Sequence, residues 1–285
     1  MEQTFKPILP AYLTNRPDES HKGYYGHALL IAGSLGKMGA AVLAAKACLR
    51  SGVGLLTVHV PRCGVDIMQT AVPEAMISID ADLSKFTQAP SNLDRYDAIA
   101  IGPGLGTEPT TAWAMEKLLR CRNKQPLVID ADALNLLAQH DEWLPLIKGS
   151  LLTPHAAEFE RLFGSAEGEE RIALQRSMAQ DLGCDILYKG HHSRVAIRTG
   201  EVFVNTTGNS GMATGGSGDV LTGIALGLCA QRKGFEKHGL ATGGMPELLT
   251  AVYIHGKSAD IAIKKQSKAS LIASDIIENL KYAID

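Results

Sequence analysis

Short apolar runs alternate with amphipathic stretches along most of the chain, and the two periods separate strands from helices. His27-Ala-Leu-Leu-Ile-Ala-Gly33 is too short and too evenly apolar for a surface helix and predicts a buried strand. The segment 39–51, rich in alanine and leucine, predicts a helix, closed by Gly52 and Gly54 where helix C-caps favour glycine. Further strands are predicted over 55–60, stopped by Pro61, and over 76–80, 98–101, 127–130 and 186–189. Strands separated by helices imply a mostly parallel sheet covered on both faces. Two short runs within 194–205 flank Thr199-Gly200 and predict a hairpin that makes the sheet mixed at that edge. Helices follow over about 217–230, about 247–265, and from Ser274, read as an N-cap, to the end. Residues 232–246 read as a polar, Gly-rich connection.

Length and composition narrow this picture. A prior of about one domain per 150 residues suggests two for 285 residues, yet no linker, repeat or charge block divides the chain, so one domain over 1–285 is expected. The formal net charge is −2, which argues against a nucleic-acid footprint or a polybasic membrane surface. The first residues lack a secretory pattern, and Val220 to Ala230, the most apolar stretch, is too short to span a bilayer. Five cysteines without a Cys-x-x-Cys pair fit a reducing cytoplasm, with Cys48 and Cys229 inside apolar helical patterns.

Glycine carries the chemical signal. Seven of the 29 glycines fall between Gly208 and Gly227, and Gly215-Gly216-Ser217-Gly218-Asp219 leads straight into an apolar helix. Small residues let loop and helix-start amides converge on one point, which forms an anion site. Asp219 sets a carboxylate beside that point, the arrangement expected of a general base next to a phosphate; a helix-capping aspartate is the plainer alternative. No Gly-Lys-Ser/Thr ends the run, so it is not a P-loop, and no strand immediately precedes it, so it is not a dinucleotide fingerprint. Gly102-Pro-Gly-Leu-Gly106 does follow a strand, but alone it is also an ordinary turn. No zinc spacing occurs, and no metal-ligating set is assigned.

Asn209-Ser-Gly-Met-Ala-Thr-Gly-Gly-Ser-Gly-Asp-Val-Leu-Thr-Gly223 resembles the anion-hole signature of ribokinase-like enzymes, and is most similar to that of the ADP/ATP-dependent NAD(P)H-hydrate dehydratases. The segments 21–34, 38–41, 100–106, 128–135 and 152–158, with Lys189-Gly190 and 251–256, agree with that family in order and spacing. The resemblance implies a ribokinase-like three-layer α/β/α sandwich. It implies an enzyme that restores NADHX and NADPHX, hydrated forms of the reduced cofactors, to NADH and NADPH. ADP (in bacterial-type members) or ATP, with Mg²⁺, drives the water out: the hydroxyl is phosphorylated and phosphate leaves.

Carried over residue by residue, the resemblance makes Asp219 the base, with Gly215, Gly216, Ser217 and Gly218 around the transferring phosphoryl. Lys189, Gly190, His191, His192 and Ser193 would contact the nucleotide, and Ala40, Gly104 and His155 would line the substrate site. His155 is otherwise a capping histidine, and His191-His192 a solvated loop. Asp130 and Asp132 either bind a Mg²⁺-linked phosphate or cap the next helix; Lys22 is either a phosphate contact or part of a solvated turn. Ala156-Ala157 stands where many relatives have Pro-Gly. The chain begins almost at the dehydratase motifs, so an NAD(P)HX epimerase is expected as a separate protein. The resemblance also favours a homo-oligomer, with a tetramer as one candidate. The alternatives are a ribokinase-like kinase of a small vitamin or sugar alcohol, which would share the glycine turn and Asp219, and a silent nucleotide-binding module.

Overall fold

The computed structural model describes residues 2–5 and 7–284. Its strands are β1 (Glu2–Thr4), β2 (His27–Ile31), β3 (Leu55–Val60), β4 (Met76–Ile79), β5 (Ala98–Ile101), β6 (Leu127–Ile129), β7 (Leu151–Leu152), β8 (Asp185–Tyr188), β9 (Arg194–Ala196) and β10 (Val202–Val204). They form one sheet in the order β1-β10-β9-β8-β7-β6-β5-β2-β3-β4, parallel except where β9 runs against β8 and β10. The helices are α1 (Ala11–Thr14), α2 (Met38–Arg50), α3 (Val65–Ala71), α4 (Pro109–Cys121), α5 (Asp132–Leu137), α6 (Ala156–Phe163), α7 (Gly168–Leu182), α8 (Ser217–Lys237), α9 (Glu247–Ala262) and α10 (Ala273–Ala283).

Side chains on successive strand residues point to opposite faces, and the two cores divide on that rule. Ala28, Leu30, Ala98, Ala100 and Val128 face α2, α8, α9 and α10, while Leu29, Ile31, Ile99, Ile101, Leu127 and Ile129 face α4 to α7. This is the expected α/β/α sandwich. The alanines on the first face leave room for α8, which is almost wholly buried along its length. Its Gly223 lies so close to α2 that a methyl there would stand 2.0 Å from the Ala44 carbonyl. Close packing of α8 on the sheet and on α2 fixes where its N-terminus ends up.

Three expectations are corrected. The hairpin is not the outermost element, because β1 pairs in parallel with β10 beyond it; three residues are too short to announce a strand by alternation. Helix α8 continues to Lys237, through residues read as a connection, since its buried face recurs at Gln231, Gly234 and Phe235. Ser274 lies inside α10, whose N-cap is Ile272; the Asp275 carboxylate accepts from the Ile272 amide at 2.9 Å. The last residue of that expected segment, Asp285, lies outside the described residues. Cys48 and Cys229 are buried, as their apolar patterns imply.

Candidate functional site

The chain runs outward from β2 through β3 to β4 and returns to β5 on the other side of β2, so the strand order reverses between the parallel neighbours β2 and β5. Loops leaving the carboxyl ends of strands at such a switch point frame a crevice. Here the Gly33 amide bonds the Pro103 carbonyl (2.8 Å) and the Ser34 hydroxyl the Gly104 carbonyl (2.7 Å), tying the two loops together. A methyl on Gly104 would stand 2.8 Å from the Lys37 carbonyl and 3.2 Å from the Ala40 methyl, so Gly104 lies against the start of α2. Asp132, at the start of α5, accepts from the Gly106 amide (2.8 Å) and from Lys37 (3.5 Å). Ala40, Gly104, Lys37 and Asp132 thus form one wall.

Helix α8 supplies the second wall. Its N-cap, Gly216, is left-handed (φ 87°), and a methyl there would meet Leu43 at 2.4 Å, so both conformation and space call for glycine. The first helical bond runs from the Val220 amide to the Gly216 carbonyl. The amides of Gly218 and Asp219 therefore have no helical carbonyl behind them and, with the helix dipole, favour negative charge in front of the turn.

Between the walls lies a cluster of charge. Lys189, at the end of β8, donates to Asp130 at 2.7 Å, and the buried Thr222 hydroxyl donates to the other oxygen of Asp130 at 2.5 Å. Asp219 has no hydrogen-bond partner for its carboxylate among the described residues. Burial, reinforced by the charges of Asp130 and Asp132 against the pull of Lys189, pushes it up to about 6. Burial also raises the Glu158 carboxyl, despite the attraction of Lys189. His255, on α9, lies 3.4 Å from the Ser217 hydroxyl and is pushed down to about 4 by burial and then by Lys189, so it is neutral at physiological pH.

A cavity of about 790 Å³ opens in front of the glycine turn. Of the residues expected at the nucleotide, Lys189, Gly190, His191, Ser193, Gly215, Ser217 and Gly218 line it; His192 does not, and instead packs edge-on against His191 and gives its carbonyl to Arg194. Gly216 stands behind the lining as the helix cap, and Asp219 faces the charge cluster. His155 does two things at once. It caps α6 in a reciprocal pair with Glu158, and its half-exposed ring lines the cavity. Lys22 lies in the turn that enters the amino end of β2, at the opposite end of the strands from the crevice, and does not line the cavity in front of the glycine turn. The cavity also takes Asn205, Thr207, Asn209, Met212, Val252 and His255, none of which the sequence reading gave a role. Asn209, Met212, Val252 and His255 lay within the quoted motifs without a role of their own, and Asn205 and Thr207 lay outside them; loops 205–214 and helix α9 meet only in the fold.

Among the described residues no group of three or more His, Cys, Asp or Glu side chains is arranged to hold a metal, and no helix is long and apolar enough to cross a membrane.

The chain is similar to known proteins over nearly its whole length. The family model described as NAD(P)H-hydrate dehydratase matches residues 28–281. The chain is 38% identical over 287 aligned residues to the bifunctional NAD(P)H-hydrate repair enzyme Nnr of Moorella thermoacetica, covering 95% of this chain and 52% of that protein. It therefore spans about half the length of that relative. It is 35% identical to the ADP-dependent (S)-NAD(P)H-hydrate dehydratase of Listeria monocytogenes, with 98% and 95% of the two chains covered. Among solved structures, the ADP/ATP-dependent NAD(P)H-hydrate dehydratase of Bacillus subtilis, co-crystallised with ATP/Mg²⁺, superposes with a TM-score of 0.76 at 31% identity, covering 94% of this chain and 92% of that one.

Proposed function

The chain belongs to the NAD(P)H-hydrate dehydratase family, and from that premise we propose that it dehydrates (S)-NADHX and (S)-NADPHX to NADH and NADPH at the expense of ADP or ATP. The observation that carries the proposal is the placement of a raised carboxylate, Asp219, without a hydrogen-bond partner among the described residues, in the first turn of α8 at its anion-binding start and between two walls of different character. The cavity lined by Lys189, Gly190, His191 and Ser193 takes the nucleotide, and the crevice at Ala40 and Gly104 takes the hydrated dinucleotide.

In this reading the amides of the glycine turn and the Lys189 ammonium hold the terminal phosphoryl group while Asp219 takes the proton of the substrate hydroxyl. Oxygen attacks phosphorus and the nucleotide leaves one phosphate shorter. The phosphate ester then leaves with its C–O electron pair as the nitrogen lone pair of the ring restores the dihydropyridine, and the neighbouring carbon gives up a proton. Amides and an ammonium fixed before reaction stabilise the developing phosphoryl charge without reorganising. A carboxyl raised to about 6 comes close to the basicity that general-base work at neutral pH favours.

Magnesium would fit as an ion carried by the phosphates of the nucleotide, which suits its preference for one or two protein ligands and substrate phosphates. It would supply shielding of phosphate charge from Asp219.

Five free cysteines, with Cys48, Cys184 and Cys229 buried, support a reducing cytoplasm as the compartment. The exposed apolar Met76 and Ile79 on the outermost strand β4 support a homo-oligomer. An epimerase working in series would feed it the (S) epimer. Purified protein, NADHX, Mg²⁺ and either nucleotide should regenerate the near-ultraviolet absorbance of reduced nicotinamide; no recovery with either nucleotide refutes the reading.

A further inference from the structure

The turn between β6 and α5 is the most strained part of the site. Ala131 sits at φ 49° and ψ −125°, a conformation that non-glycine residues avoid, and it separates Asp130 from Asp132. Strain of this kind persists only where the surroundings impose it, and it gathers at functional sites. Here the surroundings are explicit. The Asp130 amide bonds the Ile101 carbonyl, and the Asp130 carbonyl lies so near Gly102 that a methyl on that glycine would stand 1.8 Å from it. The consequence is that two successive carboxylates serve different walls: Asp132 reaches the Gly106 amide and Lys37, while Asp130 reaches Lys189 and Thr222.

Asp130 is buried to 2% and Thr222 to 0%, so the Thr222 hydroxyl and Lys189 together satisfy a carboxylate that water barely reaches. Gly218 lies in van der Waals reach of them. A methyl placed on it would stand 3.5 Å from the Lys189 ammonium and 3.9 Å from the Asp130 carboxylate. The ammonium is thus held directly against the glycine turn, and its own backbone is fixed by the bond from its amide to the Pro154 carbonyl (2.9 Å).

We propose that Asp130 is a positioning residue: clamped by Thr222 and aimed by the strained Ala131, it holds the Lys189 ammonium against the glycine turn and keeps it from pairing with Asp219. The inference rests on the reading of Asp219 as base. Lys189 is the cation common to Asp130, Asp219 and Glu158. With Asp130 neutral, the ammonium turns to Asp219, which becomes a weaker base, and the phosphoryl site loses its fixed charge.

The groups that face Asp219 are Asp130 and Asp132 from the β6–α5 turn and Lys189 from the end of β8. Around Lys189 stand Glu158 from α6 and the neutral His255 from α9, and Lys37 from the start of α2 pairs with Asp132. Removing the Asp130 charge and releasing Lys189 act in the same direction on Asp219, toward lower pH.

The test uses Asp130→Asn, Thr222→Val and Thr222→Ser in the full chain. Asp130→Asn is expected to lower kcat by about tenfold or more with a smaller change in KM for NADHX, and to move the acidic limb of the kcat/KM profile down by about one pH unit. Thr222→Val should lose rate in the same way, and Thr222→Ser should recover most of it. In the absence of substrate, carboxyl-carbon NMR of Asp219 should show the same downward shift in Asp130→Asn, so the inference is tested even if NADHX proves not to be the substrate. An acidic limb and an Asp219 titration that stay in place in Asp130→Asn overturn the proposal, as does a Thr222→Val variant with the wild-type rate. Should Asp130→Asn fail to fold, the Thr222 pair decides by the same criteria.

Discussion

Two aspartates in this fold show how differently the same side chain is used. Asp80 follows β4 and is buried to 1%; it accepts from His59 (3.2 Å), from the amides of Asp82, Thr87 and Gln88, and from the Thr87 hydroxyl. Burial alone would push its carboxyl up, but these donors outweigh it and hold the group well below the usual carboxylate range. Asp219 is also largely removed from water, yet nothing among the described residues donates to it and two carboxylates face it, so it moves the other way. Donors, rather than burial, separate a carboxylate that builds a loop from one that can take a proton.

Breaking either aspartate should break a different property. Asp219→Ala should lower turnover by a factor on the order of 10² to 10⁴ while nucleotide binding and the fold persist; kinetics beside a nucleotide titration check this. Asp80→Ala should do the reverse, costing about 3 kcal/mol or more in denaturant unfolding by leaving buried donors unpaired, with turnover per folded molecule retained.

The pH dependence of stability sharpens the contrast. Asp80, lowered on folding, contributes stability that is present above its unfolded value and lost as pH falls through its folded one. Asp219, raised on folding, contributes stability that is present below the unfolded carboxylate range and lost as pH rises through about 6. Asp219→Asn should therefore raise stability at neutral pH, by up to about 3 kcal/mol, while losing activity. Melting curves from pH 4 to pH 8, in ~1-unit steps, should show the gain appear only as pH rises.

Smaller effects come from the turn itself. Gly216→Ala forces a methyl against Leu43 in a left-handed conformation and should cost about 1–3 kcal/mol, whereas Gly215→Ala enters open space and should leave stability within about 0.5 kcal/mol. The smallest is His192→Ala, outside the cavity lining, which should change nucleotide affinity by less than about twofold.

What the sequence showed and what it hid follow from range. The strands 55–60 and 98–101 and the glycine turn were legible because each is a local pattern: an apolar run between breakers, or small residues before a helix. Asp219 could be singled out for the same reason. The hydrogen bonds that join Asp130 to Lys189 and Thr222 beside it could not. Asp130, Thr222 and Lys189 lie on three elements far apart in the chain, and nothing in Val128-Ile-Asp130 distinguishes a helix cap from an anchor for a lysine. His155 offered two readings, a helix cap and a lining of the substrate site; the structure shows the cap, and places the ring on the cavity beside Lys189 and Gly190, not beside Ala40 and Gly104. Strand β1 went unread because three residues cannot show a period, and its pairing with β10 is long-range.

The most direct measurement sets the wild type beside Asp219→Asn with NADHX, Mg²⁺ and ADP or ATP. The wild type should restore reduced nicotinamide only when a nucleotide is present, and the variant, folded and still binding nucleotide, should restore almost none. A variant that turns over at the wild-type rate, or a wild type inert with both nucleotides, would contradict the account.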